Sequence, residues 1–165
     1  HLGALPLTDS STAQNIIDLI ERTDAAVSFD PNIREDILNP EYMKTLEKVA
    51  RRTDIMILAE EELEYFQNVD LGKHLSSLIV TKGSEGAEIY GDENISVEAP
   101  DTEVVDTTGA GDALAGAYLA FRDLEDKEAL EKAVNAASLS TTAEGAMPSL
   151  PYRRSLTNKS LLEVK

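Results

Sequence analysis

The chain has 165 residues, 42% of them hydrophobic, enough for one domain with its own core, and no cysteine, which excludes disulfides and thiolate chemistry. A formal net charge of −16 argues against nucleic-acid binding, which needs a basic surface, and no apolar run approaches the ~20 residues of a membrane span. No basic-then-apolar leader opens the sequence, so a cytoplasmic protein is the default expectation.

His1 runs straight into Leu2-Gly3-Ala4-Leu5-Pro6-Leu7 and reads as structural or incidental. Thr8 to Ser11 supplies N-cap candidates, and Ile16, Ile17, Leu19 and Ile20 follow at helical spacing, which predicts a helix to about Arg22. Ala25 to Asp30 is a short apolar run ending in Asp-Pro-Asn, a strand and then a turn. Asp30, Asn32 and Arg34 have an ordinary explanation as turn residues. Polar groups at the C-terminal end of a buried parallel strand are also where open α/β sheets bind ligands.

Asn39-Pro40 starts a second helix with Met43, Leu46, Val49 and Ala50 on one face. Ile55 to Leu58 is the next buried strand. Ala59-Glu60-Glu61-Glu62-Leu63 then opens a helix through about Gln67, its three Glu suited to a solvated first turn. Leu78 to Gly83 is a third strand-to-turn unit, and Gly83 and Gly86 reverse the chain into a further strand ending at Tyr90. Lys82-Gly83-Ser84 is not a phosphate loop of the Walker type, since the Gly four residues earlier is absent and Lys precedes Gly. Ile95 to Pro100 reads as a short outer strand, and Glu103-Val104-Val105 as the end of an extended segment. Asp126 to Thr142 is a helix with Leu130, Val134, Ala137, Ser138 and Thr141 at packing positions and Asn135 in its middle, where Asn is more often solvated than functional. Strands alternate with helices except at the Gly83–Gly86 hairpin. That order predicts an α/β fold, a three-layer αβα sandwich around a mostly parallel sheet.

The most informative stretch is Asp106-Thr107-Thr108-Gly109-Ala110-Gly111-Asp112, followed by the small-residue run Ala113 to Phe121. A Gly-Ala-Gly join into a helix leaves backbone N–H groups free at the helix start, where the dipole adds positive charge and an anion can approach closely. Asp112 beside such a site reads either as a cap or first-turn residue or as a general base next to a bound phosphate. Gly109 and Gly111 fail the dinucleotide fingerprint because Leu114 takes the third glycine's place.

Asp106 to Ala113 resembles the C-terminal signature of the ribokinase-like, phosphofructokinase-B type carbohydrate kinases, with Leu114 where Phe is common. The resemblance implies an anion hole at Gly109, Ala110 and Gly111 and a catalytic base at Asp112, reversing the balance toward function. Ser28-Phe29-Asp30-Pro31-Asn32-Ile33-Arg34 is similar to a stretch of fructokinases and 2-keto-3-deoxygluconate kinases, which implies that Asp30, Asn32 and Arg34 face the sugar or phosphate side. Glu62 matches the Glu of an Asn-x-x-Glu motif that organises magnesium and phosphates through water, but Ala59 stands where Asn is expected. Thr81, Lys82, Gly83 and Gly86, with Asn135, are implied on the nucleotide side. A monovalent cation such as K+ is implied, in some relatives, between the Gly145–Pro151 turn and the carbonyls near Asp106 and Thr108. The opening residues resemble a segment found midway through such kinases, so residues 1–165 are expected to form one α/β domain, the C-terminal portion of a longer protein, without the N-terminal half and lid.

The implied function is ATP- and magnesium-dependent phosphorylation of a small sugar, fructose first, then 2-keto-3-deoxygluconate, then ribose. The partners are small molecules, with neither nucleic acid nor membrane, and a homodimer in the full-length form. The high negative charge makes strong dependence on magnesium an expectation, since a polyanionic nucleotide must be attracted locally. The alternative is a nucleotide- or anion-binding module without catalysis, favoured by the missing half and by Ala59.

Overall fold

A computed structural model describes residues 1–71, 74–91 and 93–157. The chain forms two compact units, His1–Thr81 with Tyr90–Asp92, and Lys82–Ile89 with Glu93–Lys165.

The first unit holds β1 (Leu2–Gly3), α1 (Ser10–Arg22), β2 (Ser28–Asp30), α2 (Pro40–Ala50), β3 (Ile55–Ala59), α3 (Leu63–Phe66) and β4 (Ser77–Thr81). β1 pairs with β2, β2 with β3 and β3 with β4, all parallel. α1 starts where the Asp9 carboxylate accepts the Thr12 N–H at 2.8 Å. It buries Ala13, Ile17 and Ile20, spaced one turn apart, and leaves Leu19 65% exposed, off the face assigned to it by spacing. α2 starts at Asn39, whose side chain accepts the Glu41 and Tyr42 N–H groups, with Pro40 in the position where its missing N–H costs nothing. Tyr42, Leu46, Val49 and Ala50 turn inward and Met43 is half-buried. The Tyr42 hydroxyl donates to the Ala4 carbonyl at 2.8 Å, which fastens the N-terminal segment to α2. Burial raises the Tyr42 pKa above the usual phenol value.

The β2 strand is shorter than its apolar run. Its ladder begins at Val27, whose carbonyl accepts the Asp54 and Ile55 N–H groups and whose own N–H donates to the Asp54 carboxylate at 2.7 Å. Ala25 and Ala26 stay exposed outside it. Phe29, Leu46, Val49 and Met56 are fully buried at the centre of this unit. Each large apolar side chain so placed contributes about 1.5–3 kcal/mol of transfer free energy.

The second unit holds the antiparallel pair β5 (Ala87–Tyr90) and β6 (Ile95–Val97), then α4 (Ala110–Phe121), α5 (Asp126–Ser140) and α6 (Arg153–Thr157). The sheet is thus mostly parallel, as the alternation of elements implied. α4 and α5 pack on each other through small residues, Ala113, Ala117, Ala129, Ala133 and Ala136 all being buried. α6 has no counterpart in the sequence expectation. Arg153, its first residue, lays its guanidinium 4.8 Å over the Phe121 ring. Glu103 to Val105 is not strand: the Val105 and Asp106 N–H groups both donate to the Thr141 carbonyl, a single acceptor at the end of α5 instead of a ladder. No helix among the described residues is long and apolar enough to cross a membrane.

Candidate functional site

The Asp106–Asp112 loop enters α4 through a left-handed residue, Gly109 (φ +81°). A side chain there would also collide with the next loop, its Cβ lying 2.7 Å from that of Ala146. Gly109 is therefore demanded by the protein's own packing. Gly111 is not: its φ is ordinary, and a Cβ on it would meet nothing within 4 Å. The Ala110 N–H donates to the Thr107 carbonyl at 3.1 Å, so it is already occupied and leaves the anion hole as the sequence drew it. Among the described residues the amides of Gly109, Gly111 and Asp112 make no hydrogen bond, and the helix starts with its first bond from Ala113 to the Gly109 carbonyl. Two of the three expected donors, Gly109 and Gly111, are thus free, with Asp112's own amide taking the place of Ala110's.

Asp112 is exposed, in the first turn of α4, and does not cap it, since the N-cap is Gly109 with no side-chain bond. It lines a cavity of about 250 Å³ together with Ala113, Gly116 and Ala117 of α4 and with Leu150, Pro151 and Arg153.

Asp106 stabilises the approach to this turn. One carboxylate oxygen accepts the Thr108 N–H at 2.9 Å and the other the Gly145 N–H at 2.8 Å. These bonds, those from Thr108 first, hold its carboxyl below the usual carboxylate range. A depressed folded-state pKa stabilises the fold above the unfolded value of about 3.9 and loses that contribution as pH falls through the folded value. Asp106→Asn is expected to melt below wild type at pH 7, with the gap closing below about pH 4 in thermal scans across pH.

A larger cavity of about 460 Å³ is walled by Gly83 and Ser84, by residues 99–102 and Val104, by Thr107 and Ala110, and by the α5 face of Ala137, Ser138 and Thr141. Its walls are small, apolar or hydroxyl-bearing, and Asp101 is the ionisable residue among them. The expected nucleotide helix therefore does line a cavity, but through Ala137, Ser138 and Thr141, which spacing assigned to packing. Asn135 is half-buried on α5 and is not part of the wall. Hydroxyls on an otherwise apolar stripe were the signal in the sequence. Lys82 is not part of the wall either, and its ammonium pairs with the Glu88 carboxylate. Gly86 is buried, at φ +102°, with the backbone of residues 97–99 against it, so packing explains this glycine.

In the first unit, the Asp30 carboxylate accepts the Asn32 N–H at 3.1 Å, closing a turn in which Asn32 is left-handed (φ +36°). Arg34 is exposed. Glu62 is 8% exposed, and its two carboxylate oxygens accept the N–H groups of Ile33 and, at 2.8 Å, Ala59. Thr81 is half-buried, its hydroxyl 3.5 Å from the Leu58 carbonyl. Among the described residues no three His, Cys, Asp or Glu side chains cluster as a metal site.

Comparison with known proteins agrees with this architecture. The model of the pfkB family carbohydrate kinases matches residues 3–153. Fructokinase of Escherichia coli is 30% identical over 183 aligned residues, covering 96% of this chain and 60% of that protein. The structure of fructokinase from Vibrio cholerae O395 with fructose, ADP and calcium ion bound is similar at a TM-score of 0.83 and 27% identity, over 99% of this chain and 60% of that one. Aminoimidazole riboside kinase from Salmonella enterica, complexed with aminoimidazole riboside and an ATP analog, gives a TM-score of 0.83 at 26% identity, over 99% of this chain and 62% of that one. The chain spans less than two thirds of the length of each of these relatives. With its signature turn, its mostly parallel sheet and a family match over nearly its whole length, the chain belongs to the pfkB family of carbohydrate kinases.

Proposed function

We propose that this chain supplies the phosphoryl-transfer residues of an ATP-dependent sugar kinase acting on a primary hydroxyl, with a ketose such as fructose as acceptor. The observation that carries the reading is the α4 entrance: free amides at Gly109, Gly111 and Asp112, an exposed Asp112 carboxylate, and a Gly111 that packing does not require. The Asp112 carboxylate takes the proton of the acceptor hydroxyl. The acceptor oxygen forms a bond to the γ-phosphorus as the bond from that phosphorus to the β,γ-bridging oxygen breaks, and ADP leaves. The free amides stabilise charge on the transferring group. The nucleotide enters as its magnesium complex, a substrate and not a resident cofactor, with the 460 Å³ cavity suited to its base. The loop of Asp30, Asn32 and Arg34 is the proposed acceptor-recognition loop, Arg34 offering a planar fork to an anionic or hydroxyl-rich group.

The test is a coupled ADP-release assay of the full-length protein against a panel of ketoses, sugar acids and pentoses. Fructose is expected to give the highest kcat/KM, and absence of sugar-stimulated ADP release across the panel overturns the reading. Gly111→Ala sharpens it. Alanine is a better helix former by about 1 kcal/mol and finds open space here, so stability is expected to hold or rise. Its methyl group intrudes where the phosphoryl group is proposed to sit, so kcat/KM is expected to fall by about a hundredfold. Unchanged turnover would remove Gly111 from the anion site.

A further inference from the structure

Glu62 stands at the position that resemblance assigns to metal organisation, and its bonds perform a further task. Its two acceptor oxygens reach two separate segments: Ile33, in the loop after β2, and Ala59, the last residue of β3. One buried carboxylate thereby fastens the 30–34 loop to the C-terminal end of a neighbouring strand. Within the loop, Asn32 is left-handed at φ +36°, a conformation that asparagine adopts more readily than most residues, and its amide donates to the local Asp30 carboxylate, so the Ile33 bond is the one that reaches beyond the loop. A charged acceptor gives the tie its strength, since N–H bonds to a carboxylate are stronger than those to neutral oxygens.

We infer that Glu62 is a positioning residue for the sugar acceptor, acting through the Ile33 backbone to hold Asp30, Asn32 and Arg34 in their presenting geometry. The inference rests on the assignment of the 30–34 loop to the acceptor. Glutamine offers one acceptor oxygen in place of two. Aspartate keeps the charge but is one methylene too short to serve both amides. A two-point tie does not tolerate that shortening.

The experiment uses the full-length enzyme with Glu62→Gln, Glu62→Asp and Arg34→Ala. It measures amide hydrogen exchange at Ile33 and Ala59, KM for the sugar turned over fastest in the ADP-release assay, and the magnesium concentration giving half-maximal rate at fixed ATP. Both Glu62 variants are expected to exchange about tenfold faster at the two amides and to raise the sugar KM about tenfold, the loss of one charge-assisted bond. A raised magnesium requirement with unchanged exchange, or rescue by Glu62→Asp, overturns the inference. If Arg34→Ala raises the sugar KM and Glu62→Gln does not, the acceptor assignment stands and the positioning role alone is refuted. If neither moves KM while Ile33 exchanges faster, the loop is not acceptor-side and the inference falls with that assignment.

Discussion

Asp112→Asn in the full-length protein is expected to lower kcat by about a thousandfold, within the usual span for removal of a general base, with the KM for ATP changed little. The structure makes this a clean substitution. Asp112 is exposed, it does not cap α4, and asparagine has the same outline. The fold loses only a favourable first-turn charge, worth about 0.3–1 kcal/mol, so a melting curve close to wild type should accompany the kinetic loss. Steady-state kinetics and a thermal melt on the same preparation separate the two effects. Turnover near wild type would remove Asp112 from the chemistry and leave the free amides of α4 as an anion site without catalysis.

The largest expected effect on stability is at Gly86. A Cβ there would lie 2.0 Å from the Val97 carbonyl oxygen, 2.8 Å from the Ala99 nitrogen and 3.0 Å from the Glu98 carbonyl carbon. All three are backbone atoms, so no side-chain rotation relieves the clash, and φ of +102° adds strain of its own. Gly86→Ala must therefore push residues 97–99 away, and with them the β5–β6 ladder that pairs Ala87 with Val97. A loss of roughly 3 kcal/mol or more is expected in urea unfolding. Gly83→Ala is the control: its φ is also positive, but a Cβ would meet nothing within 4 Å, so only about 1–2 kcal/mol should be lost. Equal losses at the two sites would show that backbone conformation, and not close approach, explains Gly86.

Elements whose cause is local were legible in the sequence. Asp9 and Asn39-Pro40 mark the starts of α1 and α2 because a cap bond spans only two or three residues. The Gly109–Asp112 turn is legible for the same reason, its left-handed glycine and open amides being properties of four consecutive residues. Family membership was legible through that turn.

Features whose cause is a distant partner were not. Spacing could not tell that Leu19 faces outward while Ile20 is buried, because the width of the buried stripe is set by what packs on it. It could not tell that Lys82 is paired with Glu88, or that Gly86 is a glycine because residues 97–99 pass over it. Ser138 and Thr141 looked like packing positions until the cavity beside α5 was seen.

The sequence by itself determined the alternation of strands and helices from α1 to α5, the signature turn and the chemical identity of the proposed base, since each is encoded within a few neighbouring residues. Only the tertiary structure decided which residues of α5 face a cavity, and that the Glu62 carboxylate reaches Ile33 in another segment. The physical reason is the reach of the interactions: a cap or a turn is closed by the chain's next few atoms, whereas a hydrogen bond across segments or a cavity wall exists only once the fold brings the two sides together.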